Sequence, residues 1–217
     1  MQLRGVTILL QCSLGIGVGK PHQGGRRQGS PACYGERMST TAGKELWLVR
    51  HGQTTRNRDR ELAGWDDVFL TPEGEVQAAA LRPQLDGQVF TQVWASDLSR
   101  AVRTAELGWG VVPTDARLRE INFGDLEGKP WETLDPEHKD ALLKFEGFMA
   151  PNGESLLQLE ARVLSFVEDL PLGRHLLFTH GGVIRLLCHR LGQSEFVQPA
   201  TITIVDWHAR KLLRRSA

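Results

Sequence analysis

Three stretches of the chain share one layout, an apolar run that ends abruptly in polar residues: LWLVRHGQTTRN at 46–57, VWASDLSRAVRTA at 93–105 and LLFTHGGVIR at 176–185. Short apolar runs bounded by turn residues read as buried strands. In open α/β sheets, ligands bind beyond the carboxyl ends of such strands. The layout therefore predicts that Arg50, His51, Arg100 and His180 meet at one sheet edge. Two guanidinium forks match phosphate oxygens bidentately. Glycines at 52, 181 and 182 let the backbone approach an anion closely, and a helix opening near Gly182 points its positive end there. A neutral, oriented imidazole is a competent nucleophile toward phosphorus. This set suits in-line phosphoryl transfer, in which positioning and charge neutralisation supply most of the catalysis. A leaving alkoxide also needs a proton. Glu120, in LREINFGDLEG, is the best candidate for that acid, although residue types alone do not select it over Asp97 or Asp125.

The elements that must hold these residues follow from local signals. Residues 46–49 read as a first buried strand. Thr71-Pro72-Glu73-Gly74 is a helix start, with Thr71 as cap and Pro72 in the first turn, and the helix is expected to run to Leu85. Residues 92–95 make a second strand, after which Asp97 can cap a helix reaching Leu107. Helical spacing recurs over 130–146 and 153–170, separated by Pro151-Asn152-Gly153. A third strand covers 175–178, a helix follows over 182–191, and 201–206 alternates as a late strand near a sheet edge. Strands alternating with helices predict an α/β fold: a three-layer sandwich with a mostly parallel sheet and helices on both faces.

The motifs also resemble a known family. Arg50-His51-Gly52-Gln53-Thr54 followed by Asn57 is similar to the signature of the histidine phosphatase superfamily, the phosphoglycerate mutase-like fold. Ser96-Asp97-Leu98-Ser99-Arg100-Ala101 with Thr104-Ala105 resembles its second block. Leu118-Arg119-Glu120 with Phe123-Gly124 and Glu127-Gly128 resembles the block holding its acid, and Thr179-His180-Gly181-Gly182 the block holding its second histidine. The resemblance spans about 45–215. It implies that His51 takes the phosphoryl group, that Arg50, Asn57, Arg100, His180 and Gly181 hold its oxygens, and that Glu120 serves the leaving group and then activates water. It implies no metal and no cofactor. The short segment after Glu120 resembles the phosphatases, including α-ribazole-phosphate phosphatases, more than the mutases with their long basic insertions. The expected activity is hydrolysis of a small phosphorylated metabolite. A phosphoglycerate mutase or other phosphotransferase is the alternative, and a phospho-ligand binding module without turnover is the third reading.

Bulk properties narrow the classes. With 217 residues, 41% apolar and 24% charged, the chain suits one globular domain. Its formal net charge of zero offers no global attraction to nucleic acid or an anionic membrane. The domain is placed at 44–217. Residues 1–43 are expected to be a disordered extension, because glycine, serine, glutamine and arginine around 20–30 cannot support a core, and Met38 is an alternative start. Of the three cysteines, Cys12, Cys33 and Cys188, one falls in the domain, which fits a reducing cytoplasm. A monomer or homodimer is expected. His175 reads as a residue at the start of a strand, His138, His189 and His208 as surface or helix-end residues, and Trp47 and Trp94 as core. Gly64-Trp65-Asp66 reads equally as a substrate mouth or a packed loop.

Overall fold

The protein is described from a computed structural model covering residues 43–193 and 196–216. The expected extension over 1–43, with the alternative start at Met38, falls almost wholly outside these described residues.

The central strand, β1 (Lys44–Arg50), explains why the sheet is covered on both faces. Side chains alternate across a strand, and here both sets are apolar. Leu46 and Leu48 join one core cluster, while Trp47 and Val49 join the other. Such a run buries on both sides only if helices pack above and below. On the Trp47 face lie Leu81, Leu85 and Ala105, from the segment carrying α2 (Pro72–Ala79) and α3 (Arg82–Leu85) and from α4 (Ser99–Gly108). On the Leu48 face lie α5 (Pro136–Lys144), α6 (Leu156–Asp169) and α7 (Gly181–His189), contributing Leu142, Val163, Phe166 and Ile184 among others. The three-layer architecture is as expected.

The sheet itself is mixed. Its order is β2-β3-β1-β4-β5, with β2 at Gln92–Ala95, β3 at Gly173–Thr179, β4 at Ile202–Asp206 and β5 at Lys211–Arg215. β1 and β2 each pair with β3 in parallel, whereas β4 is antiparallel to both β1 and β5. The mostly parallel sheet is thus corrected on its β4 side: a short turn after Asp206 returns the chain as a hairpin, which needs no crossover helix. β4 lies near the sheet edge as expected, with β5 outside it.

Local chemistry accounts for the other differences. The helix expected over 72–85 breaks into α2 and α3, since Pro83 cannot donate a backbone bond to the preceding turn. Thr71 caps α2 as expected, its Oγ1 accepting from Gly74 N at 3.0 Å. The span 130–146 holds a 3-10 turn at Trp131–Thr133 and then α5, because Asp135 precedes Pro136 and is extended before it caps the helix. Asp97 does not cap α4. The residue before Ser99 is Leu98, without a side-chain cap bond, and Asp67 instead accepts from Ser99 N at 2.8 Å. Cys188 is buried on α7.

Register sets up the site. β3 lies between β2 and β1, with Ala95 opposite Phe178 and Arg50 opposite Thr179. The three carboxyl ends are therefore level. The next residues stay hydrogen-bonded across the edge: His51 N donates to Thr179 O at 3.0 Å and Ser96 N to Phe178 O at 2.8 Å.

Candidate active site

His51 is the first residue past β1 and is almost wholly buried. Its Nδ1 lies 2.7 Å from the carbonyl of Gly52. A carbonyl can only accept, so in the neutral ring Nδ1 carries the hydrogen and Nε2 keeps its lone pair. The turn that holds this geometry is tight. A side chain at Gly52 would put its Cβ 2.3 Å from Gly74 O, so only glycine lets the His51 turn touch the start of α2. Gly52 N is held from the other side, donating to Thr104 Oγ1 at 3.0 Å, and Thr104 donates to Arg100 O at 2.6 Å.

Arg100, on the first turn of α4, is fully buried. Its Nη1 donates to Asp66 O at 2.8 Å and its Nη2 to Gly64 O at 2.6 Å. The Gly64-Trp65-Asp66 loop is therefore a packed loop that aims Arg100, and Gly64 also lines the cavity. Glu127 holds that loop, accepting from Trp65 N at 2.7 Å and Asp66 N at 2.9 Å. Arg50 extends from the end of β1 and donates through Nη1 to Val197 O. Neither Arg50 nor Arg100 forms an ion pair among the described residues. Burial lowers the pKa of both, and the charge of Glu120 opposes that shift.

His180, the first residue past β3, packs against His51 with ring centroids 5.1 Å apart. Its Nε2 lies 2.8 Å from Ser96 Oγ, and its buried Nδ1 has no hydrogen-bond partner among the described residues. Both histidines are pushed well below the usual imidazole range. For each the largest cause is burial, followed by the positive charge of Arg100; Arg50 adds to both, and the Gly52 carbonyl partly opposes the shift of His51.

Glu120 faces the same space from the loop that follows the 3-10 turn at Ala116–Leu118. Its Oε2 accepts from Gly182 N at 3.0 Å and its Oε1 from Ile121 N at 3.0 Å. The N-cap of α7, His180, gives no side-chain cap, so Glu120 supplies the acceptor that the helix start needs. The two other candidate acids are excluded by their partners. Asp97 forms a two-pronged ion pair with Arg119, at 2.7 and 2.6 Å, and exposed Asp125 accepts from Asn152 at 2.8 Å.

A cavity of about 210 Å³ is lined by Arg50, His51, Asn57, Arg100, Glu120 and Gly181. Six of the seven sequence-selected residues share it; His180 stands behind, against the His51 ring. Asn57 also closes a capping box with Thr54 at the start of α1 (Thr55–Arg58). The rest of the mouth comes from Glu61, Leu62 and Ala63 after α1 and from Trp131, Leu142 and Phe145 around α5. Phe123, Arg185, Phe196 and Val197 also line it. Phe123 belongs to the block that carries Glu120, whereas no local signal distinguishes Arg185, Phe196 and Val197 from core or surface residues. No group of three or more His, Cys, Asp or Glu is arranged to hold a metal ion among the described residues.

Comparison with known proteins agrees with this geometry. The model of the histidine phosphatase superfamily (branch 1) matches residues 46–214. A protein of Yersinia enterocolitica, named "Probable phosphoglycerate mutase GpmB", is 38% identical over 160 residues, 68% of this chain and 74% of its own length. The crystal structure of a phosphoglycerate mutase from Thermus thermophilus aligns with a TM-score of 0.75 at 49% identity, covering 80% of this chain and 98% of that one. A structure from Escherichia coli K-12, provisionally assigned as an alpha-ribazole-5'-P phosphatase, aligns with a TM-score of 0.65 at 28% identity, over 76% of this chain and 90% of that one. The chain belongs to the histidine phosphatase superfamily, branch 1, whose members here are phosphatases or mutases.

Proposed function

We propose that the protein is a metal-independent phosphomonoester hydrolase that works through a phosphohistidine on His51. The observation that carries this reading is the pairing of half-buried Arg50 with fully buried Arg100, without ion pairs among the described residues, flanking a histidine whose lone pair is fixed on Nε2. Buried cations without counter-charge are costly, and a phosphoryl dianion is the complement their forks match.

In the proposed first step, Nε2 of His51 attacks phosphorus while the bond from phosphorus to the leaving oxygen breaks. Glu120 passes its proton to that oxygen. Arg50, Arg100, His180, Asn57 and the amide of Gly181 hold the three phosphoryl oxygens. In the second step, water attacks the phosphohistidine, Glu120 takes the water proton, and the nitrogen–phosphorus bond breaks. Positioning and charge account for the acceleration, as phosphoryl transfer requires.

Phosphate release from p-nitrophenyl phosphate in EDTA tests the proposal. His51→Ala is expected to lose roughly 10³-fold or more of that activity, in line with removal of other catalytic nucleophiles. Acid-quenched enzyme is expected to hold an acid-labile, base-stable phosphoryl group. Full activity in His51→Ala would end the mechanism.

The names of the Yersinia and Thermus relatives favour a second reading, a phosphoglycerate mutase. Interconversion of phosphoglycerate isomers faster than phosphate release would establish it.

A further inference from the structure

The cavity in front of His51 changes character along its length. At one end stand Arg50, His51, Arg100 and Glu120, against the first residues of α7. Gly181 lies close enough to Arg50 that an added Cβ would meet Arg50 Nε at 3.4 Å, and one at Gly182 would meet Glu120 Oε1 at 2.1 Å. One helical turn on, about 6 Å along the axis from Gly181, stands Arg185. Beside it the lining is apolar, with Leu142, Phe145 and Phe196, and Leu62, Phe123 and Trp131 line the same cavity.

Arg185 is built into this wall. Its guanidinium carbon sits 4.7 Å from the centre of the Phe145 ring and 4.5 Å from that of Phe196. Its Nη1 donates to Leu142 O at 2.6 Å, and its Nη2 donates to Leu143 O. The side chain thus braces the end of α5 against α7 and offers its faces to rings. The other lining charge in this part, Glu61, is paired with Arg56 at 2.6 Å.

Two further features mark the wall as shaped for an apolar occupant. Phe145, which ends α5, adopts a left-handed backbone with φ of 59°, a costly conformation for a bulky residue. It nevertheless buries its side chain in the lining. Phe196 lines the cavity and is 65% exposed, so part of its ring stays open beside the Arg185 guanidinium. A second anionic group, such as the carboxylate of a phosphorylated hydroxy acid, would be desolvated against these rings.

We propose that the leaving group is an uncharged, apolar alcohol whose ring or chain packs among Leu62, Phe123, Trp131, Leu142, Phe145 and Phe196. The substrate is then a monoester of an apolar alcohol, and phosphorylated hydroxy acids are poor substrates. This inference rests on the hydrolase reading above.

Primary alkyl phosphates test it, because leaving groups of similar basicity isolate binding from chemistry. Phosphate release is measured from ethyl, butyl, hexyl and 2-phenylethyl phosphate and from 3-phosphoglycerate. Each methylene that reaches the apolar end is expected to raise kcat/KM roughly fourfold, from the usual gain on burying a CH₂. The 2-phenylethyl ester is expected to exceed 3-phosphoglycerate roughly tenfold or more. Phe196→Ala, at a largely exposed position, is expected to reduce the preference for 2-phenylethyl over ethyl phosphate severalfold. A flat or falling profile with chain length, an unchanged preference in Phe196→Ala, or 3-phosphoglycerate as the best ester would overturn the leaving-group assignment while leaving the hydrolase reading intact. Absence of release from every ester and from p-nitrophenyl phosphate would overturn both.

Discussion

His51 and Glu120 divide the chemistry at the residue scale. Burial and the charges of Arg100 and Arg50 press the His51 pKa well below that of an ordinary histidine. The sign is favourable to a nucleophile, since a lowered pKa keeps the ring neutral to lower pH. The acid limb of kcat/KM is therefore expected below the ordinary histidine range of about 6.5. A limb centred at that ordinary value would contradict the role. Glu120 predicts a different signature. Glu120→Ala removes the proton that an alkoxide needs but that p-nitrophenolate does not. We expect a loss of roughly 10²- to 10⁴-fold on an alkyl phosphate and a much smaller loss on p-nitrophenyl phosphate. Equal losses on both would remove Glu120 from the acid role. The sequence pattern singled out Arg50, His51, Arg100 and His180 because each follows a recognisable strand or opens a helix after one. Residue types could not separate Glu120 from Asp97 and Asp125. That choice is made by distant partners, Arg119 for Asp97 and Asn152 for Asp125.

At the scale of elements, the least regular segment carries the acid, and a single side chain organises it. Arg162, on α6, donates to the carbonyls of Arg117, Arg119 and Glu120 at 2.8, 2.7 and 2.7 Å. It also pairs with Glu154 at 2.7 Å, and Glu154 accepts from Asn122 N at 2.9 Å. Trp65 Nε1 adds a bond to Glu120 O at 2.7 Å. A planar fork can satisfy these directions together, and an ammonium cannot. Arg162→Lys is expected to lower kcat on an alkyl phosphate roughly tenfold or more, with smaller change on p-nitrophenyl phosphate and in inhibition by inorganic phosphate. Uniform loss across all three would mean that Arg162 only supports the fold. Gly182→Ala acts on the same acid from α7, because the new Cβ would fall 2.1 Å from Glu120 Oε1. It should reproduce the leaving-group dependence of Glu120→Ala in weaker form. None of this was legible from local pattern, since carbonyl bonds to Arg162 span more than forty residues. The strands were legible, because β1 and β3 are continuous apolar runs. β5 was not, since the basic residues of KLLRR hide a strand that needs only one covered edge.

The whole molecule stores the cost of its site as buried neutral histidines. The domain beyond residue 37 carries 21 basic and 25 acidic groups, yet buried Arg100 and half-buried Arg50 meet at one edge of the sheet beside His51 and His180. His175, buried where β3 begins with Nε2 2.9 Å from Pro171 O, is a third histidine whose pKa is lowered, chiefly by burial. Unfolding releases all three into water, where each binds a proton below about pH 6.5. The unfolded chain then holds more protons than the fold, so stability is present above that pH and is lost as pH falls. Each histidine contributes a slope of up to about 1.4 kcal/mol per pH unit in the window below it. Urea unfolding at pH 7.5, 6.5 and 5.5 should show the midpoint falling with pH, steeply below 6.5, with the m-value unchanged. Replacing His175, which lies away from the cavity, with Gln should flatten the slope by up to one proton without touching the catalytic pH profile. Inorganic phosphate should raise the midpoint by binding the fold alone. It should do so less in Arg100→Met, even though that variant removes an uncompensated buried charge. A midpoint that stays level from pH 7.5 to 5.5 would mean that the fold does not hold these histidines below the ordinary imidazole range.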